Sequence, residues 1–165
     1  MLFEPALSVV AATAATLLRR RGETVGVAEG SCGGIVSASL LALPGASAYF
    51  VGGAVVYTAA ASRSFFSGAV PAPPGMRGAT QEFAHYLAAS AVVRLGSTWG
   101  IGEGGAAGPS GNPYGDPAGH AWVAVSGPRE QTRHVLTGSA DREANMVAFA
   151  VAALALLVEE LEAAA

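Results

Sequence analysis

Val25–Gly34 reads VGVAEGSCGG. A short apolar run ends in the acidic Glu29, and a turn of small residues follows: Gly30, Ser31, Cys32, Gly33 and Gly34. The apolar run Ile35-Val36-Ser37-Ala38-Ser39-Leu40-Leu41 comes next. Strand, tight turn and helix in this order place a hydroxyl, a thiol and free backbone N–H groups at the carboxyl edge of a sheet. The stretch therefore predicts an α/β fold and marks where a reactive centre belongs.

Outward from it, the chain alternates. Glu4 to Arg21 has helical apolar spacing, with Pro5 in the first turn and Gly22 as its stop. Thr24 to Ala28 is a buried strand, and Gly33 to Leu43 a helix closed by Pro44-Gly45. Ser47 to Tyr57 is β-rich, and Thr58 caps a helix over Ala59 to Phe66. Ser67 to Gly78, with Pro71, Pro73 and Pro74, is a surface loop rather than a linker, because neither flank makes an independent core. Ala79 to Leu95 is a helix and Thr98 to Gly102 a short strand. Glu103 to Gly119 (EGGAAGPSGNPYGDPAG) reads as an ordered functional loop between strands. His120 to Val125 and Gln131 to Leu136 form a hairpin, and a final helix runs from Ser139 to about Leu161. The pattern predicts one three-layer α/β/α domain over residues 1–165, with a mixed β-sheet.

Composition narrows the chemistry. The chain has 165 residues and a net charge of −3, and every one of its 9 basic residues is arginine. Lysine nucleophiles and lysine bases are excluded. The acidic balance, with a pI near 5.5, argues against a nucleic-acid partner. Arg19-Arg20-Arg21, the single basic cluster, complements the end of the first helix. One cysteine rules out an internal disulfide and suits a reducing compartment. The N-terminus lacks signal-peptide order, and the longest apolar run, Met146 to Val158, is shorter than the roughly 20 residues of a bilayer span. A cytoplasmic protein with no membrane partner is the expectation.

The turn matches neither the Walker pattern nor the G-x-G-x-x-G fingerprint. Ser31 and Cys32 are each nucleophiles if a base stands nearby, although buried cysteines are more often inert. Glu29 and Glu103 each close a strand beside a Gly-rich loop, where a carboxylate either orients a ligand or caps a helix. His85, His120 and His134 lack metal-ligand spacing, so no metal site is expected; a triad of His120 or His134 with Ser31 stays open. Trp99 and Trp122 read as core residues.

VAEGSCGG (27–34), then PGASAYFVGGAVVYT (44–58), then GAAGPSG (105–111) and WVAV (122–125), resembles the C-terminal domain of the CinA family, which includes the stand-alone PncC nicotinamide-nucleotide amidases. The resemblance covers nearly the whole chain. It implies a single α/β/α domain that hydrolyses the carboxamide of nicotinamide mononucleotide to the acid and ammonia, without metal or organic cofactor. The family pattern V-A-E-S-C-T-G-G has its nucleophilic serine directly after the glutamate, and a lysine after the tyrosine assists it. In this sequence the serine position falls on Gly30 and the lysine position on Ser62, next to Arg63. Arg63 stays protonated at neutral pH, suited to holding a phosphate or carboxylate.

Together these readings assign Ser31, Tyr57 and Arg63 to catalysis. They assign Glu29, Gly30, Cys32, Gly33, Gly34, Thr58, Gly105, Ala106, Gly108, Pro109 and Asn112 to ligand binding. The N–H groups near Gly33-Gly34 are the expected oxyanion donors. The expected partner is a small nucleotide-like ligand, and the apolar last helix suggests a homo-oligomer. The alternative is a non-catalytic nucleotide-binding or assembly protein.

Overall fold

The computed structural model describes residues 4–164, so the two ends of the 1–165 span lie outside the described residues. Five strands, β1 (Val25–Glu29), β2 (Phe50–Val55), β3 (Trp99–Ala106), β4 (His120–Ser126) and β5 (Gln131–Leu136), form one sheet in the order β2-β1-β3-β4-β5. β1 runs parallel to both β2 and β3, whereas β4 and β5 are antiparallel additions. Helices α1 (Pro5–Arg21), α2 (Ile35–Leu41) and α5 (Arg142–Ala163) cover one face, and α3 (Ala59–Phe66) and α4 (Gln81–Leu95) lie on the other. The architecture is α/β, in three layers around a mixed sheet. Every residue of β1 is buried, as expected of a central strand covered on both faces.

Local chemistry sets the helix boundaries. Glu4 accepts the Leu7 N–H at the start of α1, and Gly22 ends it in the left-handed region at φ 65°. Thr58 and Thr80 accept N–H groups at the starts of α3 and α4, and Asp141 accepts the Ala144 N–H to start α5. The short α2 spans Ile35–Leu41 rather than Gly33 to Leu43, the two glycines forming the bend before it. Two further helices begin later than the spacing predicts: α4 at Gln81 rather than Ala79, and α5 at Arg142 rather than Ser139. In each case a side-chain cap stops the helix from extending backward. The predicted strand from Ser47 is shorter too, because Ala46–Ala48 makes a turn of 3-10 helix before Phe50.

The larger correction concerns β3. The predicted strand ends at Gly102, but the ladder with β4 continues through Glu103↔Val123, Gly105↔Ala121 and Ala106↔His120. The Gly-rich loop therefore begins only after Ala106. Glycine serves here as a packing residue. A Cβ on Gly100 or Gly102 would run into the Ala88 or Ala84 carbonyl oxygen of α4, so the helix lies directly on bare strand backbone. A Cβ on Gly105 would meet the His120 carbonyl oxygen of β4.

The apolar run Met146–Val158 sits inside the 22-residue α5, which has the length and mean hydropathy (1.8) of a membrane span. Here Phe149, Leu154, Leu157 and Leu161 are buried in the core, and the helix packs on β4, β5 and α1. The fold itself occupies that apolar face.

Candidate functional site

The carboxyl ends of β1, β2 and β3 point to the same edge, and the connections leaving β1 and β2 cover opposite faces of the sheet. This strand order opens a crevice between β1 and β3, the place where open α/β sheets bind ligands. Three segments meet there: the turn 30–34, the link 56–58 and the loop 107–119.

Glu29 and Glu103 are register partners on adjacent parallel strands, and neither is exposed. Glu103 accepts the Ser31 hydroxyl at Oε1. Its Oε2 takes the Gly30 N–H (3.0 Å) and the Cys32 N–H (2.9 Å). Burial raises the Glu103 carboxyl above its ordinary value, and these donors pull it back toward the charged form. Glu29 accepts the Ser37 N–H (3.2 Å) at Oε2, with the Gly34 and Val36 N–H groups also facing it, while its Oε1 has no hydrogen-bond partner. Burial, and then the charge of Glu103, push the Glu29 carboxyl up to about 8. Both carboxyls are thus held above the ordinary range by burial, with Glu103 taking more of the turn's donors than Glu29. Burial, followed by the charge of Glu103, pushes the Cys32 thiol up and keeps it protonated.

Above this turn lies a cleft of about 710 Å³, floored by Gly30, Ser31, Gly104 and Gly105. One wall is Tyr57, Thr58, Ser62 and Arg63; another is the 67–79 loop with Met76 and Arg77. The Arg77 guanidinium bonds Asp116 (3.0 Å) and lies over the Tyr114 ring, 4.4 Å from its centroid. Asp116 also accepts the Asn112 side-chain amide (2.8 Å), which with Arg77 holds its carboxyl below the usual range. A smaller adjoining recess of about 250 Å³ is shared by Ser31, Tyr57, Gly105, the 106–113 loop and Arg142. Arg142 donates to the Gly108 carbonyl (2.5 Å) and the Tyr57 hydroxyl (3.2 Å).

Of the residues assigned from sequence, Ser31, Gly30, Tyr57, Thr58, Arg63, Gly105, Ala106, Gly108 and Asn112 line these two spaces. Glu29 and Cys32 lie beneath the floor, fully buried. Pro109 follows a cis peptide and does not face the cleft. Gly33 and Gly34 make the bend itself, at φ 65° and 102°. Their N–H groups are already spent: Gly33 donates to the Gly30 carbonyl (3.1 Å), and the Gly34 N–H faces Glu29. The expected oxyanion donors therefore serve the turn. Ser31 N–H is the turn amide without an acceptor among the described residues.

The histidines do not join Ser31. His120 Nε2 donates to the Ala79 carbonyl (2.8 Å), leaving Nδ1 to accept the His134 Nε2–H (2.8 Å). His85 pairs with Glu130 at 3.2 Å. Among the described residues, no group of three or more His, Cys, Asp or Glu gathers in metal-binding geometry. Sequence reasoning missed Arg77 and Arg142 as lining residues. Arg142 carried one local signal, its place just inside a helix capped by Asp141.

The family model described as "CinA C-terminal domain" matches residues 7–161. A CinA-like protein of Synechocystis is 38% identical over 134 residues, covering 81% of this chain and 32% of that protein. A CinA-like protein of Myxococcus xanthus is 37% identical over 139 residues, covering 80% and 32%. The chain thus spans about a third of the length of these curated relatives. The crystal structure of the competence/damage inducible protein CihA from Agrobacterium tumefaciens superposes with a TM-score of 0.88 at 25% identity, covering 98% of this chain and 99% of that one. By fold, by sequence and by the span of the match, the chain belongs to the CinA C-terminal domain family.

Proposed function

We propose that the chain is an amidohydrolase acting on the carboxamide of nicotinamide mononucleotide or a related small amide, with Ser31 as its nucleophile. One observation carries the reading: the Ser31 hydroxyl stands on the floor of the cleft, hydrogen-bonded to the Glu103 carboxyl. Tyr57 offers a hydroxyl beside it, and Arg63 and Arg77 supply positive charge on the walls for an anionic ligand. The test is ammonia release from nicotinamide mononucleotide. Ser31→Ala is expected to abolish turnover while leaving the melting temperature within a few degrees. Equal turnover by the two proteins would remove Ser31 from the mechanism.

A second reading, a nucleotide-binding or assembly protein without turnover, is favoured by Gly30 and Ser62. They stand at the family's serine and lysine positions, and both line the cleft. Its signature is thermal stabilisation by mononucleotides with no product formed.

A further inference from the structure

We infer that Glu103 is the general base of a Ser31–Glu103 dyad, supplying the proton acceptor that a chain without lysine otherwise lacks. The inference rests on the hydrolytic reading of the cleft. An ionised carboxylate only accepts, so the contact between them directs the Ser31 O–H toward Glu103 Oε1 and leaves the oxygen lone pairs for the substrate. The turn that carries the nucleophile also fixes the base. Gly30 and Cys32 N–H groups flank Ser31 in sequence and both donate to Oε2, so the turn sets Ser31 and Glu103 against each other.

A purely structural role explains these contacts less well. No cation pairs with Glu103 among the described residues, and it has no solvent exposure. An unpaired buried carboxylate costs stability, and a neutral amide would accept the same two N–H bonds more cheaply. The charge is what an amide would not supply. The other candidate groups do not compete as bases: the guanidinium of Arg63 is a poor proton acceptor, and His120 and His134, outside the cleft lining, are committed to each other and to Ala79.

The chemistry closes. Ser31 Oγ bonds to the carboxamide carbon as its proton passes to Glu103 Oε1, and the carbonyl electron pair moves onto oxygen. The free Ser31 N–H is the backbone donor beside that oxyanion. On collapse the C–N bond breaks, the nitrogen takes the proton from Glu103, and ammonia leaves an acyl-Ser31 ester. Water then attacks the ester, giving its proton to Glu103. That proton returns to Ser31 Oγ as the acid departs, so one amide and one water become one acid and one ammonia.

The test uses a fluorophosphonate probe, with labelling located by peptide mass spectrometry, so that it does not depend on the natural substrate. Wild type is expected to be labelled on Ser31. Glu103→Gln, which retains an acceptor for Gly30 and Cys32, is expected to label about 10²–10⁴-fold more slowly. A wild-type rate profile guards against a variant that fails to fold. With a carboxylate base the rate rises with pH and levels once Glu103 has lost its proton, Glu29 from β1 and Cys32 from the turn being the titratable groups that face it. A Glu103→Gln rate equal to wild type, no Ser31 labelling in wild type, or a profile rising with hydroxide without levelling, would overturn the dyad. Glu103-dependent labelling without ammonia release from nicotinamide mononucleotide keeps the dyad and removes the substrate reading. Ammonia release undiminished in Glu103→Gln does the reverse.

Discussion

Glu29 sits one strand away from the charge on Glu103, and its burial has a thermodynamic consequence independent of any activity. Its carboxyl titrates at about 8 in the fold, against an ordinary value of 4.5. The folded chain therefore holds that proton more tightly than the unfolded chain. The stabilising contribution is complete below the ordinary value and is lost as pH rises through about 8. A shift of this size corresponds to about 5 kcal/mol. Glu29→Gln, which copies the neutral acid, is expected to flatten the fall in stability across that window. Urea denaturation at a series of pH values measures it, and parallel curves for the two proteins would contradict the assignment. Gly30 offers a second residue-scale prediction. A Cβ there would lie 3.3 Å from the Glu103 carbonyl oxygen and 3.6 Å from that of Val56, a fit needing a shift of a few tenths of an ångström. Gly30→Ser is expected to fold with a loss of about 1 kcal/mol or less, and a large drop in melting temperature would show that the floor is more rigid than this.

At the scale of elements, the contact between β3 and α4 decides how close the site's floor lies to the opposite layer. Ala84 and Ala88 of α4 face Gly100 and Gly102, so helix backbone meets strand backbone with only small side chains between. Gly102→Ala would lift α4 from the sheet rather than merely crowd a side chain. The expected loss is about 3 kcal/mol, read by chemical denaturation; a loss below about 0.5 kcal/mol would mean that the helix gives way freely. The same contact explains what the sequence conceals. β1, its turn and the threonine caps of α3 and α4 were legible because strand, small-residue turn and cap are written in adjacent residues. The end of β3 was not, since glycine marks a loop and a tight packing surface equally, and α4 settles which. The Ser31 hydroxyl was legible in the turn, whereas the Glu103 carboxyl that accepts it lies 72 residues away. Only the parallel register of β1 and β3 brings the two together.

Across the whole molecule, the cleft rim is tied to the core helix through one buried side chain. Asn145, on the first turn of α5 and 1% exposed, donates its amide to the Ala107 carbonyl (2.7 Å) and the Ser139 carbonyl (2.9 Å). Its carbonyl accepts the Thr137 hydroxyl (2.6 Å). One residue thus fastens the start of the 107–119 loop and the 137–139 link to a helix whose remaining turns fill the main core. Arg142, the first residue of the same turn, extends the connection to the Gly108 carbonyl and the Tyr57 hydroxyl. Asn145→Ala frees the buried Ala107 carbonyl together with the half-buried Ser139 carbonyl and the Thr137 hydroxyl, and the expected cost is about 2 kcal/mol in denaturant titration. Because the freed carbonyl at Ala107 belongs to the recess beside Ser31, the loss is expected to extend beyond stability. Amide hydrogen exchange over residues 106–113 should quicken by more than the global destabilisation accounts for, while exchange in α1 tracks the global loss alone. Uniform acceleration of both segments would show that Asn145 supports the core and leaves the rim to hold itself.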